Sequence, residues 1–210
     1  MDGTPQPVTG ERMAEYEIFQ FQLTPAPGRQ SQAAFAADLR GQGAASVRAA
    51  GGRPLGLFSS QLGWAASELA LLVRWDQPGR ADLAGLAAVE TVRREALAPA
   101  IRPADGDGLK PGGIHVLRWF HVVPGSAEEF VRLSGEGWPD FETRFDAKVF
   151  GLFRAPDADG LARFLLVTRY GDHGEWERSR DPTTAAMQTF MRRQQLTVWT
   201  QAASTLLTPV

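Results

Sequence analysis

Histidine is the side chain best suited to proton transfer near neutral pH, and this chain of 210 residues has three of them. His115 and His121 lie six residues apart in a segment of alternating apolar residues, so they point to the same face of a predicted strand. At about 3.3 Å per residue they are roughly 20 Å apart, too far to share one metal ion. Each can act alone as a general base or an axial haem ligand, and each can equally be a hydrogen-bonded strand histidine. His173 follows a later predicted strand, where it either acts from a loop or is solvated in a turn.

The composition excludes several kinds of site. Because the chain has no cysteine, it has no disulfide, no thiolate-bound zinc or iron–sulfur cluster and no cysteine nucleophile. The Asp-Gly segments lack the distal glutamate of a calcium loop, so no metal site is predicted. A formal net charge of −2 gives no basic surface for nucleic acid, and no apolar run approaches the roughly 18 residues that span a bilayer. The N-terminus also lacks the apolar segment of a secretory signal, so we expect a cytoplasmic protein with neither nucleic-acid nor membrane partners.

The two halves of the chain repeat one another. The matching segments, at offsets of 97, 95 and 94 residues, are Pro-Gly at 27–28 and 124–125, Gly-Leu-Phe at 56–58 and 151–153, and Leu-Leu-Val at 71–73 and 165–167. This pattern predicts a tandem duplication. The expected segments are a flexible tail at 1–14, a first repeat at 15–104, a Gly- and Pro-rich linker at 105–113 and a second repeat at 114–210.

Periodicity predicts the same order of elements, β-α-β-β-α-β, in each half. In the first half the predicted elements are strands at 16–24, 55–60 and 69–75, a helix at 30–50, a helix from the turn at 77–79 to about 94, and a last strand at 95–101. In the second half they are strands at 114–123, 150–154 and 163–170, a helix at 126–135 with a further turn starting at Trp138-Pro139, a helix from Asp181-Pro182 to about 195, and a last strand ending near 207.

This order is that of a ferredoxin-like unit. Residues 47–58 and 137–153 resemble the helix-to-second-strand region of NIPSNAP-like proteins, and residues 68–76 resemble their aliphatic third strand. The resemblance implies an α+β fold in which two tandem ferredoxin-like repeats form an intramolecular dimeric α/β barrel. It also implies kinship with antibiotic-biosynthesis monooxygenases, polyketide cyclases and haem-binding chlorite dismutase relatives. The matching motifs are packing motifs, so no catalytic residue is carried over. A chain whose halves close on each other can be a monomer, and otherwise it should be a homodimer.

Alternation also predicts which side chains face the interior of such a barrel. The first strand of each half has one face for the covering helices and one mixed face, which we expect to look inward. The inward residues of the first strands are Ile18, Gln20, Gln22 and Thr24, and His115, Leu117, Trp119 and His121. At an offset of 94 residues the third strands add Leu72 and Arg74, and Leu166, Thr168 and Tyr170. A cavity lined in this way has aromatic walls and few polar groups, which is typical of a small-molecule site.

The candidate site is chosen from this face. Its catalytic candidates are His115, His121 and Arg74, since a histidine can remove an acidic proton and an arginine can stabilise the resulting enolate. Its substrate-binding candidates are Trp119, Tyr170, Gln20, Gln22 and Thr168. Four arginines of the last predicted helical region are instead expected to be solvated charges: Arg178, Arg180, Arg192 and Arg193.

Three functions fit these observations. The first is a cofactor-independent oxygenase or cyclase that acts on a small hydrophobic, aromatic or polyketide-like metabolite. The second is a non-catalytic NIPSNAP-like binding or interaction module, which would be favoured by a small or fully packed cavity. The third is a haem-binding protein, favoured by relatives in the superfamily and by the available histidines.

Overall fold

The computed structural model describes residues 15–76, 79–104 and 106–210, and over these residues eight strands close into an antiparallel barrel. The strands are β1 (Glu15–Leu23), β2 (Gly52–Leu62), β3 (Glu68–Trp75), β4 (Val89–Pro99), β5 (Ile114–Val122), β6 (Ala147–Ala158), β7 (Leu161–Tyr170) and β8 (Thr197–Thr208). The helices are α1 (Gln30–Asp38), α2 (Ala44–Ala49), α3 (Ala127–Arg144), α4 (His173–Arg178) and α5 (Ala185–Gln194), with a short 3-10 turn at Pro27–Arg29 and a π-helical turn at Leu39–Gly43.

Each half contributes four neighbouring strands, as two ferredoxin-like repeats require. The order around the barrel is β4-β1-β3-β2 followed by β8-β5-β7-β6, and β6 returns to β4. The two sheets are joined where β2 pairs with β8 and where the ends of β4 and β6 meet, Ala98 opposite Arg154 and Pro99 opposite Phe153. The predicted fold class is therefore confirmed: two ferredoxin-like repeats close on each other within one α+β chain.

The repeated Gly-Leu-Phe segment marks a β-bulge in each half. The register of β2 against β3 shifts just before Gly56, and the register of β6 against β7 shifts just before Gly151. A Cβ atom on Gly56 would lie 2.2 Å from Leu207 Cδ1, and one on Gly151 would lie 2.7 Å from Pro103 Cδ. The motif recurs because both halves bend a strand where another side chain packs directly on its backbone.

Side chains alternate between a packed barrel interior and two outer layers. The interior cluster consists of Tyr16, Ile18, Phe58, Ala70, Leu72, Leu97, Leu117, Trp119, Phe150, Phe153, Ala155, Leu165 and Val167. On the outer face of the first sheet, Phe19 and Phe21 pack with Phe35 of α1. On that of the second sheet, Phe120 and Phe164 pack with Phe130 of α3. Ile18, Leu117 and Trp119 thus lie on the face predicted for them, and the centre of the barrel is filled by side chains.

The second helix predicted for the first half is absent, and that prediction is wrong. Residues 79–88 form an irregular segment whose Ala81, Leu83 and Leu86 pack into the layer beneath α1 and α2. The chain then enters β4 at Val89, six residues before the strand predicted from 95. β4 pairs with β1 over eight residue positions, and its end also pairs with β6. It thereby connects the two sheets and closes the barrel. This long-range pairing overrides the helical propensity of an Ala-, Leu- and Glu-rich segment.

In the second half, α3 is one continuous helix with Pro139 inside it, where a new turn was predicted. Pro139 cannot donate the backbone hydrogen bond to Gly135, four residues earlier, but its carbonyl oxygen accepts a hydrogen bond from Thr143 Oγ1 at 2.7 Å. Trp138 and Phe141 are both buried in the same cluster, so packing holds the two parts of the helix on one axis.

The last helix, α5, begins later than predicted. Its N-cap is Thr184, whose Oγ1 accepts a hydrogen bond from the Met187 backbone N–H at 3.2 Å. Asp181, predicted as the cap, instead accepts hydrogen bonds from the N–H and Oγ1 of Thr183 in the preceding turn. The short helix α4 was not predicted, and the Asp172 side chain caps it by accepting from the Glu175 N–H at 2.7 Å.

The remaining segment predictions concern the tail, the linker and membrane contact. The predicted tail at 1–14 lies outside the described residues. Within the predicted linker, residues 106–113 contain no helix or strand. None of the helices in the described part of the chain is both long and apolar enough to cross a bilayer.

Candidate functional site

One end of the barrel opens into a cavity. It is formed where β1 and β5 end and where β4, β7 and β8 begin, and we call it the His121 mouth. The cavity measures about 480 Å³ and is lined by Gln20, Arg93, Arg94, Glu95, Ala96, Trp119, His121, Pro156, Arg163, Trp199 and Gln201. A neighbouring lobe of about 290 Å³ shares Gln20, Arg93 and Gln201 and extends towards Gln22 and Trp64.

Strand register brings aromatic and charged groups around His121. Arg163 of β7 and Trp199 of β8 lie opposite His121 on its two neighbouring strands. The His121 and Trp199 ring centroids are 4.7 Å apart. Partial burial lowers the pKa of His121, Arg163 lowers it further, and Asp159 and Glu95 act in the opposite direction. The imidazole is therefore mainly neutral at pH 7 and can accept a proton.

Trp119 forms the inner wall of the His121 mouth. Its side chain is buried, and the Arg163 guanidinium lies 5.0 Å from its ring centroid. Glu95 of β4 holds this guanidinium through both carboxylate oxygens, with the Arg163 Nη2 to Glu95 Oε2 distance at 3.2 Å. The ion pair with Glu95 and the contact with the Trp119 ring hold the Arg163 side chain in place. The Glu95 carboxylate also neutralises the charge of Arg163.

The rim of the same mouth carries polar groups that have no partner in the described part of the chain. Gln20, Arg93 and Gln201 form no hydrogen bond or ion pair there, and Arg93 is exposed. Gln22 differs, because its Nε2 donates to Ser67 Oγ at 2.7 Å. Two amides and one guanidinium are thus available to a ligand beside the aromatic wall.

His115 lies at the opposite end of the barrel, in a place we call the His115 mouth. Its side chain is fully buried, and its Nε2 donates to the Lys110 carbonyl oxygen at 3.1 Å while its Nδ1 has no partner in the described chain. Burial lowers the pKa of His115 to about 4; the Lys110 carbonyl raises it and Arg169 lowers it. A cavity of about 230 Å³ adjoins it, lined also by Phe150 and Lys148.

Three of the four cations around the His115 mouth are paired, whereas the exposed Lys110 forms no ion pair within the described residues. Glu142 accepts from Arg102 at 2.6 Å and from Lys148 at 2.9 Å. Arg169 is paired with Asp146. Among the described residues each mouth therefore keeps one unpaired cation, Lys110 here and Arg93 at the His121 mouth.

The structure divides the predicted site residues among three places. Gln20, Gln22, Trp119 and His121 come together at the His121 mouth. Arg74 lies at the far end of β3, with its Nε 3.6 Å from Asp76 Oδ1, and so falls at the end of the barrel that holds His115. Arg74 is thus not placed beside His121.

Thr168 and Tyr170 lie on the outer face of β7, beneath the helices, so their predicted inward orientation is wrong. The strand pairs Ile18 with Leu72 and His115 with Arg169 show that the two third strands correspond at an offset of 97 residues. The offset of 94 residues taken from the repeated Leu-Leu-Val differs from 97 by three residues. Because three is an odd number, this shift moves every side chain of the third strand to the other face.

The sequence analysis missed several residues of the His121 mouth. They are Arg93, Arg94 and Glu95 of β4, Arg163 of β7, and Trp199 and Gln201 of β8. Arg163 shares the inward parity of Leu165 and could have been found from alternation along β7. Arg93 and Arg94 could not, because their segment was predicted as a helix, and the predicted strand that starts at Glu95 was given no inward face.

The three histidines also allow a test of whether haem fits. The cavity beside His115 is smaller than the roughly 300–1,000 Å³ of ligand sites, and the His115 Nε2 is already bonded. The cavity beside His121 is lined mainly by charged and polar side chains, a poor match for an apolar macrocycle. His173 bonds Ser204 Oγ at 2.9 Å, and no histidine lines the cavity of about 20 Å³ beneath α3 and α5. The residues present do not fit haem.

Metal ligands are not grouped either. Among the described residues there is no cluster of three or more His, Cys, Asp or Glu side chains that could hold a metal ion.

Comparison with known proteins identifies the fold. No protein-family profile and no curated protein sequence matches the chain. Among solved structures, the protein named "putative monooxygenase" from Lactobacillus acidophilus NCFM has a TM-score of 0.61 at 10% identity, over 93% of this chain and 94% of that one. The chain has a dimeric α/β-barrel fold.

Two further structures support this assignment of the dimeric α/β barrel. An anthrone oxidase-like protein has a TM-score of 0.60 at 14% identity, over 94% of this chain and 92% of that chain. The chlorite dismutase of Candidatus Nitrospira defluvii, in complex with imidazole, has a TM-score of 0.54 at 10% identity, over 91% and 90%. At such identities the likeness shows the dimeric α/β-barrel fold alone, and the NIPSNAP-like resemblance stays a prediction.

Proposed function

We propose that this dimeric α/β-barrel protein binds an aromatic or polyketide-like small molecule in the His121 mouth and acts on it as a cofactor-independent oxygenase or cyclase. One observation carries the proposal: a neutral imidazole lies 4.7 Å from the Trp199 ring, in an open cavity that Trp119 and the unpaired Arg93 also line. The names of two structural neighbours, a monooxygenase and an anthrone oxidase-like protein, are consistent with it.

The dimensions of the His121 mouth suit such a ligand. Its main cavity of about 480 Å³ lies within the usual range of roughly 300–1,000 Å³ for small-molecule sites. A flat ring can contact Trp119 and Trp199, and ring oxygens can accept hydrogen bonds from Gln20 and Gln201. Two aromatic side chains in a lining that is otherwise mainly polar favour planar hydroxylated or keto compounds.

The chemistry begins with proton transfer. His121 removes a proton from an acidic C–H or O–H group of the substrate, and Arg93 stabilises the enolate or phenolate oxygen that results. In the oxygenase reaction the electron-rich carbon then reacts with O₂, so that a ring CH₂ group and O₂ become a C=O group and water. In the cyclase reaction the same carbanion attacks a carbonyl carbon of its own chain, and no oxidant is needed.

Replacing His121 by Gln tests this role. The amide keeps polarity and approximate size but cannot take the proton, so turnover of hydroxylated anthrone-type substrates should fall by about 100-fold or more. Oxygen consumption and product absorbance report the reaction. His173→Gln is the matched control, because His173 bonds Ser204 away from both mouths, and it should keep wild-type turnover. Unchanged turnover in His121→Gln would remove the catalytic proposal.

A second function, ligand binding without turnover, is favoured by the packed interior. Because Phe58, Phe153 and Leu165 fill the centre of the barrel, a ligand can occupy only the mouth and remains partly solvated. Native mass spectrometry of the protein as isolated would show a retained small molecule. Tight binding of aromatic ligands with no oxygen uptake and no cyclised product would support this function over the enzymatic one.

A further inference from the structure

Of the four arginines that were expected to be solvated charges, two are exposed and two are partly or fully buried. Arg178 and Arg192 are exposed and paired with Glu175 and Glu136. Arg193 of α5, by contrast, is only 4% exposed, and Arg180 between α4 and α5 is half-buried.

Arg180 and Arg193 line a small cavity under α3 and α5 together with a third arginine. Arg118 points from the outer face of β5 into the same cavity, which measures about 20 Å³. The other lining residues are Trp138, Phe141, Val149, Leu166, Thr168, Tyr170 and Phe190. Among the residues that the structure describes, no carboxylate lines the cavity.

The three arginines have no negative partner in the described chain. Arg193 donates to Ser134 Oγ at 3.2 Å, and its guanidinium lies 4.7 Å from the Phe190 ring centroid. Arg180 donates to Tyr170 Oη at 3.0 Å. None of the three, Arg118 included, forms an ion pair with any residue that the structure describes.

Several donors in this region are left without an acceptor. The Nε atoms of Arg180 and Arg193 and the Nε1 atom of Trp138 are buried and have no hydrogen-bond partner within the described residues. Buried charges in proteins are normally paired, and a buried donor without an acceptor is costly. Donors converging from a strand, a loop and a helix on one cavity indicate that an acceptor belongs there.

The charges of the cluster reinforce this reading. Burial lowers the pKa of Arg193 to about 9, and Arg118 and Arg180 lower it while Tyr170 raises it. Burial also lowers the pKa of Arg118. Arg193 nevertheless stays mostly protonated at pH 7, so the cavity gathers positive charge that an anion would neutralise.

We propose that this cavity is a binding site for one halide-sized anion, with chloride as its physiological occupant. A space of about 20 Å³ accommodates one sphere of roughly the size of a water molecule, which leaves no room for phosphate or sulfate. The anion offsets part of the positive charge of Arg118, Arg180 and Arg193, accepts their hydrogen bonds and so fixes α5 against β5. Because it lies on the outer face of the sheet, the site is separate from the His121 mouth and does not depend on the proposed function.

Thermal unfolding in matched salts tests the site. In sodium chloride the wild-type protein should melt roughly 5 °C higher than in sodium gluconate of equal ionic strength, because an anion that binds only the folded state stabilises it. Bromide should act like chloride. Arg193→Met, which keeps an apolar stem but removes the charge, should abolish the difference between chloride and gluconate. The matched control is Arg192→Met, which should keep the full difference because Arg192 is exposed on the same helix.

Crystals grown with bromide locate the ion directly and need no variant. The proposal predicts an anomalous bromide peak in the cavity, within hydrogen-bond distance of Arg193 and Arg180. It is overturned if the wild type melts equally in chloride and gluconate, or if sulfate stabilises it as much as chloride does. It is also overturned if Arg193→Met keeps the halide effect, or if the cavity holds no bromide.

Discussion

His115 and His121 lie on the same face of β5, yet one is fully buried at one end of the barrel and the other is half-exposed at the opposite end. Burial is the largest cause of the lowered pKa in both. Their surroundings differ: His115 Nε2 donates to the Lys110 carbonyl oxygen beside a cavity of about 230 Å³, whereas His121 forms no hydrogen bond within the described chain and lines a cavity of about 480 Å³. Residue type and strand parity therefore do not distinguish a structural histidine from a chemical one, whereas burial, hydrogen bonding and the adjoining cavity do.

The largest expected effect in this comparison is on stability, through His115. Its pKa is about 4 in the folded protein, below its ordinary value of 6.5, so the unfolded state binds the proton first as the pH falls. The stability contribution of neutral His115 is therefore complete above about pH 6.5 and is lost as the pH falls towards 4. The difference between these two pKa values corresponds to about 3 kcal/mol of unfolding free energy.

Urea unfolding at several pH values measures this effect. The His115→Gln variant keeps a donor for the Lys110 carbonyl but does not titrate. Relative to this variant, the wild type should lose about 3 kcal/mol of unfolding free energy between pH 7 and pH 4. The same comparison with His121→Gln should give a much smaller change, since His121 is half-exposed. Equal pH dependence for wild type and His115→Gln would contradict the burial of a neutral imidazole at this end.

A smaller effect is expected at Arg93, on substrate turnover. Arg93→Met removes the unpaired guanidinium of the His121 mouth and should lower kcat/KM by about tenfold, the usual size for one charge-assisted hydrogen bond. Arg53→Met provides the control, because Arg53 is exposed at the start of β2, at the other end of the barrel. Steady-state kinetics on both variants would show whether the effect belongs to this mouth. Equal losses in the two variants would argue against a specific role.

The smallest effect concerns the pKa of His121 itself. Arg163 lowers that pKa and Glu95 raises it, so the two partners of one ion pair should act in opposite directions when removed. Arg163→Met should raise the pKa of His121, and Glu95→Gln should lower it further. Titration of the histidine ring signals by NMR measures both. The His115 signals should not change, and shifts of the same sign in both variants would contradict the described geometry.

The sequence predicts the parts of this molecule that depend on local pattern. Alternation along the first strands places Ile18, Leu117 and Trp119 on the interior side, and the repeated Gly-Leu-Phe marks the bulges at Gly56 and Gly151. These features are predictable because a strand with one buried face has apolar residues at every second position, and a crowded backbone requires glycine.

The other features depend on pairing between distant segments. The first part of β4 was predicted as the end of a helix, and its register against β1 makes it a strand, so Arg93 could not be assigned to the site. Tyr170 was placed on the wrong face because an alignment between the halves that is wrong by an odd number of residues reverses parity. The burial of Arg193 was equally hidden, since its neighbour Arg192 on the same helix is exposed.

A crystal structure with a bound hydroxylated anthrone-type ligand tests the central claim most directly, because it does not depend on turnover. The proposed function predicts the ring in the His121 mouth, in contact with Trp119 and Trp199, with an acidic C–H or O–H group within hydrogen-bond reach of the His121 imidazole. A ligand bound at the His115 mouth, or an empty His121 mouth in a crystal whose ligand is bound elsewhere, would contradict it.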